Sequence, residues 1–68
     1  MRLSARNQLK GKITGMKNGP VSTEVVIDIN GQSVTASITS GSSESLGLKV
    51  GDDVVAIIKA SSVMIGLQ

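Results

Sequence analysis

Residues 21–39 read VSTEVVIDINGQSVTASIT, and this stretch decides the fold class. Val21, Thr23, Val25, Ile27 and Ile29 alternate with Ser22, Glu24, Val26, Asp28 and Asn30, the two-residue period of a strand with one face in the core. Asn30-Gly31 follows, a pair that tolerates the positive φ angles of a two-residue type I′ turn. Gln32 to Thr39 then runs back, with Val34, Ala36 and Ile38 as its inward set. The stretch is a β-hairpin.

Upstream, Gln8 to Lys17 places Leu9, Gly11, Ile13 and Gly15 on one face of a strand and Lys10, Lys12, Thr14 and Met16 on the other, and Asn18-Gly19-Pro20 ends it. Downstream, Ser40 to Gly47 changes character. Ser42 or Ser43 is expected to cap a short helix, with Glu44 in its first turn, Gly47 closing it in the left-handed conformation, and Leu46 and Leu48 anchoring it. Lys49 to Asp52 is a turn, Asp53 to Lys59 a fourth strand, Ala60-Ser61-Ser62 a connector and Val63 to Leu67 a fifth strand. The expected fold is all-β, one domain over residues 1–68. It is a small five-stranded Greek-key barrel of the oligonucleotide/oligosaccharide-binding (OB) type, with one short helix between strands three and four.

Composition narrows the chemistry. The chain has 68 residues and no Cys, His, Phe, Tyr or Trp, while Val (8), Ile (7) and Ser (10) are abundant. Disulfides and thiolate metal sites are excluded, and the usual neutral-pH general base is missing. A catalytic Ser would have only Lys or a carboxylate as its base, so the chain reads as a binder and not an enzyme. Asp52-Asp53 reads as turn chemistry, and no carboxylate cluster supports a hard cation. A core this small and free of aromatics points to a homo-oligomer.

Charge is unevenly placed. Arg2, Arg6, Lys10, Lys12 and Lys17 lie in the first 17 residues, which hold no acid, so this segment carries +5 and the rest −3. No apolar run approaches the roughly 18 residues of a membrane span, and no secretory h-region follows Met1 to Ser4, so a cytoplasmic protein is expected. The basic segment suggests an anionic partner. Single-stranded nucleic acid is one candidate, but such binding rests on aromatic stacking that this chain cannot supply.

Three short groups are rich in hydrogen-bond donors. Ser4-Ala5-Arg6-Asn7 combines a hydroxyl, a guanidinium, an amide and consecutive backbone N–H groups, a set able to surround a small oxyanion. Lys59-Ala60-Ser61-Ser62 is the second group, at the end of strand four, and Thr39-Ser40-Gly41-Ser42 is the third, at the start of the helix.

Ser4 to Leu9, Gly11 to Ile13, Glu24-Val25, Ser37 to Thr39, Leu46 to Leu48 and Ile58 to Ala60 occur in the order and spacing of the molbindins. The chain closely resembles this family of small cytosolic proteins of the molybdenum-pterin-binding (Mop) type, which bind molybdate and tungstate in molybdenum storage and homeostasis. The resemblance implies a hexamer, a trimer of dimers, with oxyanion sites between subunits. It implies that Ser4, Ala5 and Arg6, with Asn7 orienting the loop, come from one subunit. Lys59, Ala60 and Ser61 would come from its neighbour, with Thr39 and Ser42 completing the shell. A second kind of site is implied at Gly19, Val21 and Ser22. No cofactor, directly coordinated metal or nucleic acid is implied.

Overall fold

A computed structural model describes residues 2–68. It contains β1 (Asn7–Asn18), β2 (Ser22–Ile29), β3 (Gln32–Thr39), α1 (Ser40–Leu46) and β4 (Asp53–Ile58), followed by one 3₁₀ turn at Ala60–Ser62. The strands form one antiparallel sheet in the order β3-β2-β1-β4. Three hairpin-connected strands are thus joined by a fourth that returns beside the first, the Greek-key order. Asn30 (φ 52°) and Gly31 (φ 87°) make the β2–β3 turn as expected.

The core is small. Ile13, Val25, Ile27 and Ala56 are its buried apolar residues, and Met16, Ile29, Ile38, Leu48 and Val54 pack against them. Gly11 is required where β1 crosses β2, because a Cβ there would lie 2.5 Å from the Asp28 carbonyl oxygen and 2.7 Å from Ile27 Cγ2. This close approach coils the sheet around the core.

β1 departs from simple alternation. Ile13 pairs with Ile27 but Gly15 pairs with Val26, so Thr14 is an extra residue, a β-bulge. The bulge reverses the strand's phase. Met16 turns to the core side opposite Val25, whereas Gly15 moves to the outer face expected for Met16. At the same point Ile13 donates to the Asp52 carbonyl (3.0 Å) and accepts from Gly51 N–H (2.8 Å), which locks the turn before β4 onto β1.

The helix is shifted from its expected start. Thr39, the last residue of β3, is the N-cap, with extended φ and ψ of −67° and 145°, and its hydroxyl accepts from Ser42 N–H. The strand therefore runs into the helix without a loop, and Glu44 lies beyond the first turn. Gly47 closes the helix at φ 64° as expected. Leu48 packs on the core, but Leu46 is 70% exposed and anchors nothing.

The expected fifth strand is not formed, and the sheet is not a closed barrel among the described residues. The 3₁₀ turn redirects the chain directly after β4. Beyond it no strand is present, and Met64, Ile65 and Leu67 are at least 91% exposed. β3 and β4 face each other across an apolar cleft of about 600 Å³, lined by Val34, Ile38, Val54, Ala56 and Ile58 among others. An unpaired strand gains stability only from an edge it can reach, and here the chain leaves the sheet before meeting one.

Candidate functional site

The β1–β4 register builds the site. Asn7 pairs with Ile58, so the residues before β1 lie beside those after β4. Ser4, Ala5, Arg6, Lys59, Ala60 and Ser61 line one cleft of about 270 Å³. Two of the three expected donor groups thus line one cleft of a single chain. The physical reason is the pairing itself: two strand ends held in register by backbone hydrogen bonds place their flanking residues side by side.

The cleft is donor-rich. Arg6 and Lys59 bring two positive charges, Ser4 and Ser61 two hydroxyls, and no carboxylate lines it. Among the described residues the one ion pair is Lys12 Nζ to Asp53 Oδ1 at 3.1 Å, on the outer face of the sheet, so no acid is bound to Arg6 or Lys59. Across the sheet Lys12 also stands opposite Asp28 and Lys17 opposite Glu24, whereas Lys10 stands opposite Val55, so two of the three lysines of β1 face acids while the cations at the cleft do not.

Backbone geometry adds to this. In the 3₁₀ turn the Lys59 carbonyl accepts from Ser62 N–H (2.9 Å) and the Ala60 carbonyl from Val63 N–H (3.3 Å). These carbonyls are occupied, and the turn's leading N–H groups, on Ala60 and Ser61, take no part in its bonds. On the opposite lip Gln8 Nε2 donates to the Ala5 carbonyl at 3.1 Å. Reading the sequence did not single out Gln8; its signal was an amide side chain three residues after Ala5, directly behind the donor tetrapeptide.

The remaining expected residues lie elsewhere. Asn7 is half-buried as the first residue of β1 and does not line the cleft. Thr39 pairs with Ser22 at the far end of β3, next to the pair of Asn18 with Thr23, so Thr39 and Ser42 stand at the opposite end of β1 from Arg6. There Thr39 Oγ1 donates to Ser42 Oγ at 2.7 Å, which leaves the Ser42 hydroxyl proton free. At the second expected site Gly19 N–H is bound to the Ser22 carbonyl (3.0 Å), and the Gly19 and Val21 carbonyls accept from Ser40. Pro20 has no N–H. That turn is held by its own bonds.

Comparison with known proteins adds a second line. Residues 3–65 match the TOBE domain family. The chain is 49% identical to a probable molybdenum-pterin-binding protein of Haemophilus influenzae, covering all of both chains. It is 33% identical to a molybdate binding protein from Sporomusa ovata, at a TM-score of 0.94, over 98% of this chain and all of that one. It is 39% identical to the cytoplasmic molybdate-binding protein ModG, solved with molybdate bound, at a TM-score of 0.93, over all of this chain and 49% of that one.

Proposed function

Because the chain belongs to the TOBE domain family, among molybdenum-pterin-binding proteins that it matches end to end, we propose that it is a non-catalytic binder of the molybdate and tungstate oxyanions. The observation that carries this reading is the single-chain cleft with two cations, two hydroxyls and no carboxylate. Molybdate is a tetrahedral dianion, unprotonated at neutral pH, and its oxygens only accept. A donor-only shell suits it, and Arg6 and Lys59 supply the charge. With no His or Cys in the chain, the intact oxyanion is held through hydrogen bonds and its metal is not coordinated directly. A pterin is a poorer fit for this chain, since no aromatic side chain is present to stack on it.

In this reading the cleft residues form one half of the site, and Thr39 and Ser42 of a second copy supply the other half. The two groups stand at opposite ends of β1, which a second copy of the chain can bring together. The same copy gives the exposed Val63–Leu67 segment an edge to pair with, completing a fifth strand and closing the barrel. The resemblance to the molbindins implies a hexamer built as a trimer of dimers, with Val21 and Ser22 near its threefold axis as a weaker second site; Gly19 contributes only backbone shape there. Each 68-residue chain acts as one domain. The role is storage or buffering of molybdenum in the cytoplasm, the compartment named for ModG.

One calorimetric series tests this. Molybdate and tungstate are expected to bind with similar affinity, and sulfate and phosphate much more weakly. Sulfate has the same charge but is smaller than molybdate, and phosphate is partly protonated and lacks an acceptor here. Equal affinity for sulfate would remove size as the selector. Tight binding of a single-stranded oligonucleotide without molybdate binding would favour the nucleic-acid reading instead.

A further inference from the structure

A site made only of donors has to dispose of its own carbonyls, because every peptide unit that brings an N–H also brings an acceptor. On the Lys59 side the 3₁₀ turn does this, with the Lys59 and Ala60 carbonyls taken by Ser62 and Val63 N–H groups. The Ser4–Arg6 side has no helical turn. There the Ala5 carbonyl is taken by the Gln8 side-chain amide at 3.1 Å.

From this contact we infer that Gln8 is a positioning residue for the anion cleft, setting the polarity of the Ala5–Arg6 peptide. This rests on the oxyanion reading above. No cis peptide occurs among the described residues, so the Arg6 N–H points opposite to the Ala5 carbonyl. Gln8 does not line the cleft, whereas Ala5 and Arg6 do. The carbonyl is therefore held on the side away from the cleft and the Arg6 N–H is presented as a donor beside the Arg6 guanidinium. Gln suits the task because its amide donates while staying neutral. Glu at this position would offer only acceptors and a negative charge. Gln8 pairs with Ile57 in the sheet, so its backbone is fixed and its side chain has one short reach to the loop.

Gln8→Met keeps the length and removes the donor. In calorimetry it should bind molybdate about 3- to 10-fold more weakly than the parent, the range for one neutral hydrogen bond. Gln8→Glu should lose more. Thermal midpoint and oligomeric state should stay at parent values. The readout that a merely structural role would not move is the Arg6 amide proton in NMR. In the parent it should shift on molybdate addition, and in Gln8→Met that shift should shrink while the Ala60 and Ser61 amides respond as before. A Gln8→Met chain that binds molybdate as tightly as the parent, with the same Arg6 amide response, would overturn the assignment of Gln8 alone. A parent that binds no molybdate would overturn the site reading, and the anion role of Gln8 with it.

Discussion

The two ends of β1 carry similar residues and do opposite things. At the Asn18 end, Gly19 N–H donates to the Ser22 carbonyl, the Val21 carbonyl accepts from Ser40 N–H, the Ser40 hydroxyl is bound to the Gly19 carbonyl and the Thr23 hydroxyl, and Thr23 is 1% exposed. At the Asn7 end, the carbonyls of Ala5, Lys59 and Ala60 are bound but the cationic groups and hydroxyls open onto a cleft. Ser, Gly and backbone donors are abundant at both. What separates a turn from a site is whether the donors are already spoken for.

The largest expected effect breaks the open end. Arg6→Ala and Lys59→Ala should each cost about 2–5 kcal/mol of molybdate affinity, the range for truncating one hydrogen-bonded charge in such a site, with no loss of thermal stability. Calorimetry and a thermal melt check both halves of that statement. Since both residues line one chain's cleft, refolding these two variants together should restore no intact site. Arg6→Ala mixed with Ser42→Ala should, if a neighbouring copy contributes Ser42. Recovery in the first mixture, with mixed oligomers confirmed by mass spectrometry, would contradict the single-chain cleft.

Next in size is Gly11→Ala, between the two ends. Its Cβ would meet the Asp28 carbonyl and Ile27, forcing β1 and β2 apart at a cost of about 1–3 kcal/mol in stability. Urea titration measures this, and an unaltered midpoint would mean that the crossing is looser than described. Thr23→Val should cost about 1–2 kcal/mol, because it leaves the Ser40 hydroxyl short of a partner in a part-buried network. Unlike Arg6→Ala, it should leave each intact cleft's affinity unchanged. A loss of affinity there, with the fold intact, would blur the contrast between the ends. The smallest effect on stability is that of Thr39→Ala, which removes the N-cap and should cost about 1 kcal/mol in a melt, together with weaker molybdate binding because Thr39 also stands in the proposed site.

The β2–β3 hairpin was legible except at Val21, which lies before the strand and is 77% exposed, because alternation and Asn30-Gly31 are local signals that the tertiary fold had no reason to override. The bulge at Thr14 was not. Nothing in Gln8 to Lys17 interrupts the alternation, and only the pairing with β2 shows that the phase reverses at Gly15. Val63 to Leu67 has a strand's composition, yet strand formation needs a partner edge, and the 3₁₀ turn carries the chain away from the free edges of β3 and β4. For the site, the donor groups themselves were legible. Which of them share a cleft was not, since that depends on the Asn7–Ile58 register, a relation between segments some fifty positions apart.

The bulge also makes the length of β1 a matter of parity. Gly11 and Ile13 face the core from odd positions, with Leu9 on the same side but 38% exposed, and Met16 faces it from an even one. Removing Thr14, the extra residue, would leave Ile13 on Ile27 and Gly15 on Val26 in unbroken alternation, and both ends compared above would keep their facing. Removing Lys10, Gly11 or Lys12 instead would put Leu9 and Ile13 on opposite faces. Single losses in this strand are therefore tolerable at the bulge and not beside it, so a drifting sequence can change the outer residues of β1 freely but its length at one place only.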